Sequence, residues 1–500
     1  TMSKLNKDKF IVDAGQYAGM TVLTQLTTLV AALLTRRFLG PTQTGVWALL
    51  QVILIYAGYM MLGTSQAIVR KIPHYVEKGE KAEAEEIKNL VHSFSYIVSS
   101  VATLGCLGYA AAMRAELRPE VFYGLLMVPV ILLLQRASNL RIAFLRGYKL
   151  FNVAGKQMFL SAIVNAVLVI LLSYRYQIYG FMAAMCMSFL FNIIYIRANH
   201  KLRFKWRFDF KKIGSLIQYG FPLVVIALLG TFFLTIDKLM IAKYAGLEQL
   251  GLYSIALLSY AYLNSVPNAV GVVLIPNYHQ KFAENESAED LRGYIRKAGS
   301  VFSVMMPIGI AGGWFLIPFC VGKVLPEFSA SIPAMKYLIV GIFWVSLTEP
   351  YTNLLIVMKK QKVLFPVMGI ACAIAIMTNY YVLTRGYGIT GVAGVTSLVF
   401  FFNFTATYML ASREIYPEAI SRKVYVSYTA KFVLSVICLL GLTRWMAESG
   451  SSLIQSSTQC MIFMILWSPF VWKLNRDMGI VTILINRVFK RKEHSVLQNK

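Results

Sequence analysis

The sequence predicts an all-α polytopic membrane protein of about fourteen spans, in two parallel six-helix repeats plus two C-terminal helices. Three observations carry this. The chain of 500 residues is 57% hydrophobic and only 14% charged, with a mean hydropathy of +0.60. Apolar runs of roughly 18–25 residues recur along it, each long enough for a ~30 Å hydrocarbon core. A pattern of glycines, aromatics and prolines near the start returns about two hundred residues later.

The apolar runs are centred on 14–35, 46–66, 91–113, 121–143, 153–173, 179–197, 217–236, 251–275, 298–322, 334–358, 363–384, 391–411, 429–447 and 458–474. In lipid every backbone polar group needs an internal partner, so these runs are expected as helices. The net charge of +26 would suit nucleic acid if it were gathered on one soluble face. It is not. With a cytoplasmic N-terminus, roughly 38 of the 49 Lys and Arg fall on the cytoplasmic side, which is a topology signal with added attraction for anionic lipids at that face. The richest loop runs from Arg197 to Lys212, and the tail adds Arg487, Lys490, Arg491 and Lys492. Both termini are therefore expected in the cytoplasm and the protein in the inner membrane. From Ile480 to Phe489 the tail reads as an interfacial helix, with a free solvated tail as the alternative. Lys4, Lys7 and Lys9 precede a full-length span, so no cleavable signal peptide is expected. The six cysteines lie in or beside spans and read as small core hydrophobes.

The repeat is ungapped over its clearest stretch. Arg37-Phe-Leu-Gly40-Pro-Thr-Gln43-Thr-Gly45-Val-Trp47 aligns on Lys243-Tyr-Ala-Gly246-Leu-Glu-Gln249-Leu-Gly251-Leu-Tyr253. Gln16-Tyr17 matches Gln218-Tyr219, Ile72-Pro73 matches Ile275-Pro276, and Ile178-x-Gly180 matches Ile389-x-Gly391, all at offsets of about 202–213. Six spans separate equivalent points, so the copies share one orientation, as in transporters with a central site between halves. The expected division is residues 1–200 and 217–415 as six-helix lobes, 201–216 as a basic linker, 416–475 as the additional helices, and 476–500 as a basic tail.

Enzyme motifs are absent. There is no GxxxxGK[ST], HExxH or GxSxG, the five histidines are scattered, and no loop is long enough for a catalytic domain. The acidic cluster Glu80, Glu83, Glu85 and Glu86 alternates with lysines and reads as a solvated amphipathic helix. No cofactor and no metal are expected.

The stretch Arg37-Phe-Leu-Gly40-Pro-x-x-x-Gly45-x-Trp-Ala-Leu resembles the polysaccharide-biosynthesis flippases, as does Asp237-Lys-Leu-Met-Ile-Ala-Lys-Tyr-Ala-Gly246 with Gly251-x-Tyr-Ser-Ile-Ala256. These are the Wzx-type O-antigen and capsule-unit translocases of the MOP exporter superfamily, which also holds the MATE antiporters and lipid II flippases. The likeness spans about residues 10–475. It implies a MATE-like fold and transfer of an undecaprenyl-pyrophosphate-linked oligosaccharide from the inner to the outer leaflet, with polysaccharide polymerase machinery as a partner. Two alternatives share the fold: an ion-coupled multidrug or organic-cation antiporter, and a lipid II flippase.

Charged residues inside spans are costly and default to cavity walls or mutual pairs. Arg136, Arg141 and Arg146 follow one another at a spacing of five on the fourth run, a slowly turning stripe suited to a cavity wall. Glu349-Pro350 interrupts the tenth run. At an offset of 213, Arg136 corresponds to Glu349, so the repeat axis would bring them toward each other as an ion pair. Snorkelling is the alternative for Arg136, and helix packing for Glu349. Arg70 with Lys71 reads as a topology anchor or a substrate contact. Asp237 and Lys238 read as a structural ion pair or as substrate contacts. The span asparagines, Asn192 among them, suit interhelical hydrogen bonds.

Overall fold

A computed structural model describes residues 4–148, 150–199, 204–285, 288–446 and 452–478, and among them there is no strand. The helices are α1 (Lys4–Tyr59), α2 (Thr64–Glu77), α3 (Lys81–Ala112), α4 (Pro119–Gly147), α5 (Phe151–Asn199), α6 (Phe210–Tyr244), α7 (Leu247–Asn285), α8 (Ala288–Val324), α9 (Ile332–Val357), α10 (Leu364–Thr384), α11 (Gly388–Ser412), α12 (Glu418–Trp445) and α13 (Leu453–Met478). The protein is a multi-pass membrane protein. Nine stretches among the described residues are long and apolar enough to span. Two of them, Leu23–Tyr59 and Val153–Asn199, each hold two of the expected runs; α6, α7 and α13 supply the other three. All fourteen runs thus fall on helix for most of their length.

The paired runs are joined at sharp bends. Gly40 breaks α1 with φ 66°, a left-handed conformation that glycine adopts without a Cβ clash. Gln177 breaks α5 with φ 52°, where a side chain is strained, and the bend is tied down from α1. The amide oxygen of Gln43 accepts the Ile178 N–H at 3.1 Å, and its amide nitrogen donates to the Gln177 side chain. One residue of the repeated motif therefore satisfies backbone that the bend leaves without an intrahelical partner. The two halves of α5 are joined further on, where Gln157 donates to the Asn192 oxygen at 2.8 Å; this bears out the reading of Asn192.

The second run is shorter than expected. It stops at Tyr59, and Leu62 (φ 49°) and Gly63 (φ 85°) turn the chain into the separate amphipathic helix α2. Its buried Ile68 and Ile72 pack into a cluster with Val91 of α3 and Phe144 of α4. Arg70 and Lys71 sit within α2 rather than at the end of a span. The tail from Ile480 to Phe489 lies outside the described residues.

The chain divides into two compact units, 1–254 and 255–500, at a point inside α7. In the first, α6 packs on α1, α2 and α3. In the second, α9 lies against α8 and α11, and α13 against α8 and α12. Each unit buries rows such as Val128 and Ile131 or Leu338 and Ile342, while Leu104, Ile194, Met377 and Leu398 are exposed as lipid contact requires.

Candidate functional site

The first unit is seamed where α1 meets α6 and the start of α7, and the repeated motif makes the first stitch. A Cβ on Gly45 would fall 1.7 Å from the Leu247 carbonyl oxygen, and a Cβ on Gly251 1.7 Å from that of Pro41. Pro41 and Leu247 are equivalent in the repeat, as are Gly45 and Gly251, so the contact is reciprocal. Gly40 and Gly246, also equivalent, both have positive φ (66° and 90°). Only residues without a side chain allow this backbone approach. The motif is repeated because each copy packs on the other.

Below that contact the seam is polar. The Lys238 Nζ lies 3.4 Å from the Gln51 oxygen, the Tyr56 hydroxyl 2.7 Å from that of Thr235, and Tyr59 bonds Thr231 and, at 3.2 Å, the Ala227 carbonyl. The seam ends where Gly63 and Gly220 touch backbone to backbone. Beside it, the fully buried Asp237 accepts a 2.7 Å bond from the Tyr253 hydroxyl, and Arg36 reaches Ser254 at 3.4 Å and its own helix at Ala32. Asp237 and Lys238 were expected to pair. Consecutive helical residues point about 100° apart, and the two turn to different partners.

The arginines of α4 differ from one another. Arg136 donates through Nη2 to the Ala57 carbonyl at 2.9 Å. That carbonyl belongs to the last turn of α1, where acceptors lack a helical donor and the dipole favours a cation. Its buried Nε has no partner, so the guanidinium caps a helix and keeps donors in reserve. Arg141 instead bonds Ala137 at 2.8 Å and lies 5.4 Å over the Phe204 ring. Arg146 reaches the sulfur of Met158 at 3.5 Å. The side chain of Arg70 lies outside the described residues. In the second unit Glu349 is half-buried on α9, beside Pro350, which has no N–H to offer the Ser346 carbonyl.

The acidic cluster is not simply solvated. Residues 204–209 run extended along α3: the Lys205 and Arg207 amides donate to Asn89 and Ser93, both at 3.0 Å. Glu86 is buried and takes both Arg207, at 3.0 Å, and Lys212. This bond to Glu86 raises the Lys212 ammonium above its ordinary value. Tyr148 donates to Glu85 at 3.2 Å, and burial, then the charge of Glu85, push its phenol up to about 12. Sequence reasoning placed Arg197–Lys212 as charge alone because its partners lie more than a hundred residues away. It also missed Gln51, Tyr56, Tyr59, Thr231 and Thr235, whose spacing resembles ordinary helix packing.

A family model described as "Polysaccharide biosynthesis protein" matches residues 33–318. No curated protein matches the sequence. Among solved structures, an inward closed conformation of the lipid II flippase MurJ superposes with a TM-score of 0.64 at 15% identity, covering 92% of this chain and 99% of that one. An inward-facing multidrug resistance MATE family transporter of the MOP superfamily gives 0.61 at 15% identity, over 82% and 95% of the two chains. Its outward-facing counterpart gives 0.57 at 15%, over 80% and 96%. At such identities the likeness shows the fold.

Proposed function

Because the chain belongs to the polysaccharide biosynthesis protein family, we propose that it is a flippase for an undecaprenyl-pyrophosphate-linked oligosaccharide. It carries this lipid from the inner to the outer leaflet of the cytoplasmic membrane, with both termini in the cytoplasm and polymerase machinery receiving the product. The observation that carries the reading is the family match. The chemistry of the first unit supports it, since Arg36, Arg136 and Lys238 are cations placed within helices that span, and a pyrophosphate wants guanidinium donors.

Arg136 is the residue assigned to the pyrophosphate. Its bond to Ala57 orients the group, and the remaining N–H donors are free to chelate phosphate oxygens. Arg141, Arg70, Asp237 and Lys238 are assigned supporting contacts. Glu349, at the position equivalent to Arg136 in the sequence repeat, is the candidate acidic group of the second unit. The polar seam from Gln51 to Tyr59 then exchanges its weak hydroxyl bonds for sugar hydroxyls as the helices part. The sequence has no ATP-binding motif. An anion leaving a negative-inside cell gains about 2.3 kcal/mol per charge per 100 mV, which supplies a driving force.

The test is mass spectrometry of lipid-linked oligosaccharides in a strain lacking the gene. Undecaprenyl-pyrophosphate glycan should accumulate on the inner leaflet and clear when the gene is restored. Accumulation of lipid II, or sensitivity to organic cations with no glycan build-up, would replace this reading with one of the other two. Orientation is checked separately. Thr42 and Glu248 are exposed beside the glycine contact, and cysteines placed there should label from the periplasm of intact cells.

A further inference from the structure

Three helices of the second unit meet around a cavity that the transport reading does not use. It lies where α8 and α12 begin and α13 ends, and has a volume of about 370 Å³. Above it the helices are locked together. The buried Trp467 indole of α13 donates to the Val304 carbonyl of α8 at 2.9 Å. The Tyr428 hydroxyl of α12 lies so close over Gly299 that a Cβ there would sit 2.1 Å away. The cavity is thus a fixed recess and not a gap between independent helices.

Its lining is chemically uneven. Each helix contributes one cation: Arg296 from α8, Lys431 from α12 and Lys473 from α13. Ser300 and Ser427 add hydroxyls, and Asp477 is the one carboxylate, with Arg476 held 3.9 Å from it. Lys431 is half-buried and donates to Ser303 at 3.0 Å, which spends one of its three donors and leaves two for the recess that it lines. Three cations brought together in a partly dry pocket repel one another, and an anion between them removes that cost. On another side the wall turns apolar. Ala430 and Leu434 are shared with a groove of about 480 Å³ that continues along α12 past Val433 to Ile437.

We propose that this recess binds the phosphate group of an acidic membrane lipid, with the lipid's chain lying in the groove along α12. A phosphate accepts from Arg296, Lys431 and Lys473 at once, and the serine hydroxyls fill its remaining acceptor sites. A water-soluble anion would match the cations but leave the adjoining groove without a purpose. A zwitterionic lipid would match the groove but bring its own ammonium to a cationic pocket. The site joins α13 to the rest of the unit, so the lipid serves as a clamp on the C-terminal pair of helices, whatever the transported substrate.

The experiment is native mass spectrometry of the purified full chain in detergent, titrated with phosphatidylglycerol, with phosphatidylcholine, and with inorganic pyrophosphate as competitor. Phosphatidylglycerol should bind as a retained adduct and phosphatidylcholine should not. A contact worth about 1 kcal/mol per lysine corresponds to roughly a fivefold weakening for each one neutralised. Lys431→Gln with Lys473→Gln should therefore weaken phosphatidylglycerol about 25-fold, and Lys473→Arg should keep it. Should the double variant fail to fold, Lys473→Gln alone, at an exposed position, carries the fivefold test. Equal retention of the two lipids, or unchanged phosphatidylglycerol affinity in the glutamine variants, overturns the proposal. Displacement of the adduct by pyrophosphate at equal concentration also overturns it, because the ligand would then be a soluble anion.

Discussion

Helices α4 and α9 are aligned with each other by the sequence repeat, yet they use their middles in opposite ways. On α4 the central side chains are cationic, and Arg136 spends its charge on the end of another helix. On α9 the centre is aromatic. The buried Trp344 packs against Phe343, Phe401, Phe404 and Phe432 with ring centroids 4.4–5.2 Å apart. Two residues beyond Glu349, Tyr351 packs edge-on against Tyr408 at 4.8 Å. If duplication supplied two copies of one helix, as the repeat offset implies, their chemistry has diverged. One copy carries a cation that caps a neighbouring helix; the other carries a buried aromatic cluster. Glu349 is the one carboxylate of α9.

The largest effect should come from breaking the aromatic side of this contrast. Trp344→Ala removes a buried side chain from five-ring packing and should cost about 3–5 kcal/mol, read as a large drop in the unfolding temperature of the purified protein. A loss below about 1 kcal/mol would mean that α9 is not held by this cluster. The next effect tests the cationic side. Losing a charge-assisted hydrogen bond costs about 1.5–3 kcal/mol, so Arg136→Ala should slow transfer of labelled lipid-linked glycan in vesicles by roughly 10- to 150-fold. Arg136→Lys, which cannot chelate bidentately, should recover part of that rate. Unimpaired transfer in the alanine variant would end the assignment. The smallest effect sharpens the difference within α4. Arg141 is engaged by Ala137 and Phe204, and such a cation–π contact contributes about 0.5–1 kcal/mol. Arg141→Gln should therefore lower stability slightly and slow transfer by only about two- to fivefold. Equal loss in both arginine variants would show that the whole stripe faces the substrate and that the two residues do not differ in role.

The two kinds of side chain were not equally legible. Arg136 stood out because a charge in an apolar run needs a reason, whatever surrounds it. Trp344 did not, because one aromatic among many carries no such signal. Glu86 misled for the opposite reason. Among lysines and other glutamates it reads as solvated, and only the return of residues 204–212 along α3 buries it under Arg207 and Lys212. The cations Arg296, Lys431 and Lys473 lie on three helices and have no spacing in common, so nothing along the chain gathers them.

Hydropathy alone determined the fourteen helical segments, because lipid leaves a spanning backbone no choice but to satisfy itself locally. The repeat and its paired glycines were equally a property of the sequence, since a duplicated motif remains visible wherever its backbone tolerates no side chain. Tertiary structure decided the rest: that Gly45 and Gly251 meet each other, that Gln43 braces the bend at Gln177, and that Arg136 caps α1 while Arg141 does not. Each of these depends on which helix lies alongside. Helix contacts in a membrane are chosen by shape and by scattered polar groups, and those choices leave no period in the chain.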